Sequence, residues 1–132
     1  MPSISVLIIE DEAIIALLLA EVIEGMGYEV CDIAATETEA VAAAARFRPG
    51  LMIVDANLRE GSGISAVKEI QRNGDIPHIF VSGDMATVQK LSQGSEVLEK
   101  PFNETQLARS IARTLAMAAP AQDRTGTPFD SA

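Results

Sequence analysis

The sequence predicts an α/β fold, a parallel five-stranded sheet covered by helices on both faces. Three observations carry this reading. Five short apolar runs, ISVLII, YEVCDI, LMIV, HIFV and VL, recur along the chain, each of strand length and bounded by turn residues. Between them lie segments whose apolar residues recur at helical spacing. Every crossover is long enough for the right-handed connection that parallel strands require. A chain of 132 residues with 48% hydrophobic content can bury one good core. Aromatic residues make up only 4% of it, so that core must be aliphatic and rich in alanine.

In chain order, Ile4 to Ile9 is β-branched and apolar, as suits a strand buried on both faces. A helix follows from Ala13 to Met26, with Gly27 placed to terminate it. Its spacing predicts that Ile15, Leu19, Val22, Ile23 and Met26 face the core. Ile14, Leu17, Leu18 and Glu21 then fall on the outer side. Tyr28 to Ile33 is a second strand with Cys31 as a small apolar filler. Glu37 to Phe47 is a second helix, with a capping box from Thr36 and Glu39. Leu51 to Val54 is the third strand, and Gly63 to Arg72 a third helix with Ile64, Val67 and Ile70 inward. His78 to Val81 is the fourth strand, Met85 to Leu91 a short helix, and Val97 with Leu98 a fifth strand. Asn103 is a good N-cap for a last helix reaching Met117. The remaining residues, 118–132, are small, polar and proline-containing, and read as a disordered tail after a single domain over residues 1–117.

The strands end in chemically distinctive residues. The first ends in Glu10, Asp11 and Glu12, and the third in Asp55, followed by the loop residues Asn57, Arg59, Glu60, Gly61, Ser62 and Gly63. An aspartate at a strand end also suits a cap of the next turn, and an acidic triplet also suits a helix N-terminus. In an open α/β sheet, however, the carboxyl ends of the strands are where ligands are met. The fourth strand brings Ser82 to that edge and the fifth brings Lys100. Two or three carboxylates and the Asn57 backbone carbonyl offer oxygen ligands to one Mg²⁺. Lys100 adds a point charge and Ser82 a hydroxyl donor. Such a site suits a phosphoryl group, with Asp55 as the nucleophile that accepts it. His78, the only histidine, sits at the opposite end of its strand and reads as structural.

Composition narrows the partners. A formal net charge of −9 argues against direct contact with nucleic acid, which needs a basic surface. One cysteine excludes an internal disulfide and fits a reducing compartment. No signal peptide is visible at MPSIS, and the longest apolar run, Ala13 to Ala20, is too short to span a membrane. The expectation is a soluble cytoplasmic protein, monomeric or weakly dimeric, without membrane insertion.

Four stretches, VLIIEDE, LMIVDANLREGSG, HIFVSG and VLEKPF, stand in this order across residues 4 to about 117. Through them the chain resembles the response-regulator receiver domain of two-component signalling, in its CheY-like, free-standing form. The resemblance implies a flavodoxin-like (βα)5 sandwich with strand order 2-1-3-4-5. It implies that Asp55 is the phosphoacceptor and that Glu10, Asp11, Asp55 and the Asn57 carbonyl hold Mg²⁺ or Mn²⁺. Ser82, with Gly83 beside it, would be the switch hydroxyl, and Lys100 the partner of the phosphoryl group, next to a peptide bond that is commonly cis before Pro101. The phosphodonor would be a sensor histidine kinase or a histidine phosphotransfer protein, and the output a downstream protein target. The chain would catalyse only its own phosphorylation and dephosphorylation.

Two positions depart from the family's pattern. Val97 stands where most members carry an aromatic residue on the fifth strand, and Gly83 stands where alanine is commoner. The stretch Phe80-Val81-Ser82-Gly83 is similar to a branch of often free-standing receivers that lack that aromatic. With Val97, a phosphorylation-independent binding module of the same fold is the alternative. A haloacid-dehalogenase-type phosphatase fits less well, because Asn57 takes the place of the second Asp in D-x-D and the nucleophile follows the third strand. The outer stripe of Ile14, Leu17 and Leu18 is a candidate docking or dimer surface.

Overall fold

Five strands and five helices alternate through residues 3–118, the part of the chain described by the computed structural model. They are β1 (Ser5–Ile9), α1 (Ala13–Gly25), β2 (Glu29–Ala34), α2 (Glu37–Phe47), β3 (Leu51–Asp55), α3 (Gly63–Gln71), β4 (His78–Ser82), α4 (Met85–Leu91), β5 (Glu96–Glu99) and α5 (Glu104–Ala118). The strands form one parallel sheet in the order β2-β1-β3-β4-β5. The flavodoxin-like topology expected from the sequence is therefore the one observed. From residue 119 onward the expected tail lies outside the described residues.

Alternation along the strands feeds two cores. Leu7, Ile9, Met52, Val54 and Phe80 point to one side, where Ala40, Ala43 and Ala44 of α2 and Ala66, Val67 and Ile70 of α3 meet them. Val6, Ile8, Leu51, Ile53, Ile79 and Val81 point to the other, against Ala16 and Ile23 of α1 and Leu107 and Ile111 of α5. Each fully buried aliphatic side chain contributes about 1.5–3 kcal/mol. The alanines let α2 lie close to the sheet.

Local signals set the ends of the elements. Gly27, at φ +98°, closes α1: its N–H donates to the Glu24 carbonyl at 3.0 Å and that of Tyr28 to Ile23 at 3.3 Å, a Schellman motif. The Thr36 hydroxyl accepts the Glu39 N–H at 3.1 Å, while Glu39 reaches back to the Ala35 N–H at 2.9 Å. Asn103 and Gln106 cap α5 reciprocally at 2.8 and 2.9 Å. His78 has Nδ1 3.1 Å from the Ile76 carbonyl and meets Phe80 edge-on at 5.1 Å between centroids, which agrees with its structural reading.

Two expectations need correction. Ile15 does not face the core: it is 41% exposed, and Ala16 is buried in its place. Helix α1 is apolar nearly all round through Ala20, so periodicity could not fix its rotation. The small Ala16 permits closer approach to β1 than a branched residue would. Asp55 and Ser82 are also the last residues of their strands rather than the first of the loops. Their ladders continue because Asp55 pairs with Val81 and Ser82 with Glu99.

Candidate functional site

The carboxyl ends of β1, β3 and β5 converge on one cluster of charge. Carboxylate oxygens of Glu10, Asp11 and Asp55 lie within 4.8 Å of one another. Glu10 and Asp55 are only 5% and 8% exposed. Lys100, placed immediately after β5, puts Nζ 3.5 Å from Asp55 Oδ2 and 3.8 Å from Glu10 Oε1. The Lys100–Pro101 peptide bond is cis. Asp55 Oδ1 accepts the Asn57 N–H at 3.0 Å, and Glu10 Oε2 accepts the Glu12 N–H at 3.1 Å.

This cluster carries more negative charge than its one lysine balances. Burial pushes the Glu10 carboxyl up to about 7, against the pull of the Glu12 N–H; the charge of Asp55 adds to the rise and Lys100 offsets part of it. A hydrogen bond between the Glu10 and Asp55 carboxyls also favours protonated Glu10. Three carboxylates with oxygens this close together, and a lysine beside only two of them, are a donor set that fits a hard divalent cation.

Ser82 and Gly83 stand at the end of β4, next to the ends of β3 and β5. Ser82 is buried at the end of β4, where its Oγ accepts the Asp84 N–H at 3.1 Å and its carbonyl accepts the Lys100 N–H at 2.9 Å. Gly83 is exposed, and a Cβ there would meet only the Lys100 Cβ, at 3.7 Å. Asn57 is exposed and forms an antiparallel bridge with Ser62. Ile14, Leu17 and Leu18 are 73%, 63% and 55% exposed, as their spacing predicts. A cleft of about 490 Å³ runs beside them between α1 and the start of α5, lined by Ile15, Leu18, Leu19, Phe102 and Leu107 and reaching Asp55 and Lys100. Sequence reasoning did not find Arg59, whose N–H donates to Asp11 Oδ2 at 2.7 Å and whose Nε lies 3.6 Å from the same oxygen. Forty-eight residues separate the two, and no local pattern marks such a contact.

The fold and the acidic edge together define a receiver, and the chain belongs to the response regulator receiver domain family, which matches it over residues 6–112. It is 34% identical over 114 residues to the phyllosphere-induced regulator PhyR of Methylorubrum extorquens, an alignment covering 83% of this chain and 43% of that protein. To the chemotaxis protein CheY of Thermotoga maritima it is 28% identical over 111 residues, covering 80% of this chain and 92% of CheY. The solution structure of the Erythrobacter litoralis PhyR receiver domain superposes with a TM-score of 0.78 at 34% identity, covering 88% of this chain and 92% of that one. The chain spans less than half the length of the first curated relatives it matches, between 32% and 43%. Among the described residues, no helix is long and apolar enough to cross a membrane.

Proposed function

We propose that this receiver is a phosphoacceptor of a two-component phosphorelay, with Asp55 as the residue phosphorylated. The observation that carries the reading is the placement of Asp55: a strand-end carboxylate beside Glu10 and Asp11, with Lys100 Nζ at 3.5 Å. Asp55 attacks the phosphorus of a phosphohistidine on a kinase or histidine phosphotransfer protein. The new O–P bond forms as the N–P bond breaks, and the imidazole nitrogen leaves with the electron pair. Lys100 balances charge on the transferring group, and the Asn57 N–H orients Asp55 through Oδ1. Glu10, Asp11, Asp55 and the Asn57 carbonyl are the residues that would hold Mg²⁺ or Mn²⁺. Such an ion, when bound, supplies positive charge at the phosphoryl oxygens. The reaction these residues serve is the chain's own phosphorylation and dephosphorylation.

The response starts at Ser82. Turning its hydroxyl toward a phosphoryl oxygen breaks its bond to the Asp84 N–H. Asp84 is the N-cap of α4, holding the Thr87 N–H at 3.3 Å and the Thr87 hydroxyl at 2.5 Å. Helix α4 has no fully buried residue, and its one residue packed against the hydrophobic clusters is the half-buried Leu91, so little packing resists a shift of the face formed with β5 and α5. With Val97 half-buried against the core in place of a ring, the change passes through the loop and α4 rather than through an aromatic rotamer. A downstream protein target reads that face.

The deciding measurement is intact mass after incubation with Mg²⁺ and phosphoramidate. Wild type is expected to gain one phosphoryl group and Asp55→Asn none. If wild type gains nothing and also fails to bind beryllofluoride, the chain is a phosphorylation-independent module. The cleft and the Ile14, Leu17, Leu18 stripe supply a docking surface for the donor's helix, because the apolar lining leads directly to Asp55. Replacing Leu17 and Leu18 with Glu is expected to slow transfer from the cognate donor by about tenfold or more. Phosphorylation by phosphoramidate should be unchanged, and equal slowing with both donors would defeat the assignment.

A further inference from the structure

Glu37 stands in the first turn of α2, away from the acidic cluster, yet it holds the far end of the β3–α3 loop. Its N–H donates to the Glu60 carbonyl at 3.3 Å. Its Oε1 accepts the Ser62 N–H at 3.0 Å, and its Oε2 accepts the Ser65 hydroxyl at 2.6 Å. Gly61 lies against the Glu37 stem so closely that a Cβ there would come 2.5 Å from the Glu37 Cβ. The Ser65 hydroxyl, followed by the Ser62 N–H, holds the Glu37 carboxyl below its ordinary range, so it meets these donors as an anion.

The near end of the same loop is tied to the cluster. Asn57 donates its N–H to Asp55 and Arg59 its N–H to Asp11. Ser62 links the two ends. It pairs with Asn57 through the antiparallel bridge, donates to Glu37, and caps α3 by accepting the Ile64 and Ser65 N–H groups at 3.1 and 3.3 Å. Fixing Ser62 therefore fixes where Asn57 presents its backbone carbonyl. It also restrains where the Arg59 N–H meets Asp11.

We propose that Glu37 is a positioning residue for the cation site, acting through Ser62 on Asn57 and Arg59. This rests on the reading of Glu10, Asp11, Asp55 and Asn57 as that site. Glu10 and Asp55 belong to the rigid sheet edge, whereas Asn57 sits on a loop whose conformational freedom must be removed for it to serve as a ligand. Glu37 removes part of that freedom before any ion arrives. Ordering the loop in advance strengthens ion binding without a new ion contact.

The test compares Mg²⁺ titrations by calorimetry for wild type, Glu37→Ala, Glu37→Gln and Glu39→Ala. Glu39 caps the same helix through the Ala35 N–H, so its loss reports damage to α2 alone. Glu37→Ala is expected to raise the Mg²⁺ Kd roughly fivefold, somewhat less than the tenfold or more lost when a residue directly orienting a ligand is removed. Glu37→Gln, which keeps one carbonyl acceptor, should fall between it and wild type, and Glu39→Ala should match wild type. Amide exchange at Arg59 and Ser62, read without any divalent ion, should quicken roughly fivefold in Glu37→Ala only. Wild-type affinity and exchange in Glu37→Ala, or an equal loss in Glu39→Ala, would overturn the positioning role alone. Failure of wild type itself to bind Mg²⁺ would overturn the cation-site reading and this role with it.

Discussion

Gly63→Ala is expected to destabilise the protein by about 3 kcal/mol or more, since the new methyl has nowhere to go. A Cβ on Gly63 would overlap the Asp55 carbonyl oxygen and come 2.8 Å from Val54 Cγ1. One of these neighbours is backbone, so no rotamer change can relieve the clash. Gly63 is buried as the first residue of α3, and its N–H donates to the Ala56 carbonyl at 3.2 Å. The methyl must therefore push apart the start of α3 and the end of β3, displacing the Asp55 carboxylate. In thermal unfolding the midpoint should fall by about 10 °C or more. Phosphorylation of whatever remains folded should slow by about tenfold or more, because the nucleophile is misplaced. Gly25→Ala is the control: nothing lies within 4 Å of a Cβ there, and an alanine in α1 should stabilise by about 0.5–1 kcal/mol. A Gly63→Ala midpoint close to wild type would mean that α3 does not sit against Asp55 as described.

The same glycine shows how far the sequence could be read. LMIVDANLREGSG announces a strand, a carboxylate and a loop, and Gly63 is legible there as the start of a helix. That it must be glycine for close approach to the Asp55 backbone is a fact of the packed structure. The parallel sheet was readable because β1 and β3 are continuous apolar runs, a pattern that only burial on both faces explains. Helix ends were readable wherever a cap is a local matter, as at Thr36 with Glu39, at Gly27 and at Asn103.

What escaped the sequence is what depends on distant partners. The rotation of α1 was misassigned at Ile15 because an all-apolar segment has no unique inner face, and the choice of Ala16 is made by β1. Four of the residues around the site, Glu10, Asp11, Asp55 and Lys100, were legible because each stands at or just past the end of a strand. Glu37 and Arg59 were not: the first reads as an ordinary acid at a helix start and the second as a loop cation. Their contacts span 23 to 48 residues. Strand ends carry a local signature, while a brace between two loops carries none.

In chelator, the protein is expected to lose stability as pH rises from about 4.5 to about 7. Burial, the largest influence, raises the Glu10 carboxyl from 4.5 to about 7, with the Glu12 N–H opposing and the Asp55 charge reinforcing. Between those values the folded chain keeps a proton that the unfolded chain has released, so stability falls with each unit of pH. The penalty is absent below about 4.5, where both states are protonated, and complete above about 7, where both are ionised. Its size is about 3 kcal/mol at most, from 1.36 kcal/mol per pKa unit. Glu10→Gln keeps the shape and removes the charge, so the difference between wild type and variant isolates this residue from the other titrating groups. Urea unfolding at pH 5 and pH 8 should show wild type losing stability relative to Glu10→Gln across that interval. Equal slopes for the two proteins would mean that Glu10 is not held in the buried position beside Asp55. Adding Mg²⁺ at pH 8 should restore wild type, because an ion that binds only the folded, ionised cluster stabilises it by mass action. The same addition should help Glu10→Gln less, since one of its anionic donors is gone. A carboxylate that weakens the ion-free fold and strengthens the loaded one is what a cation site requires of Glu10. A purely structural acid at that position would show the first effect without the second.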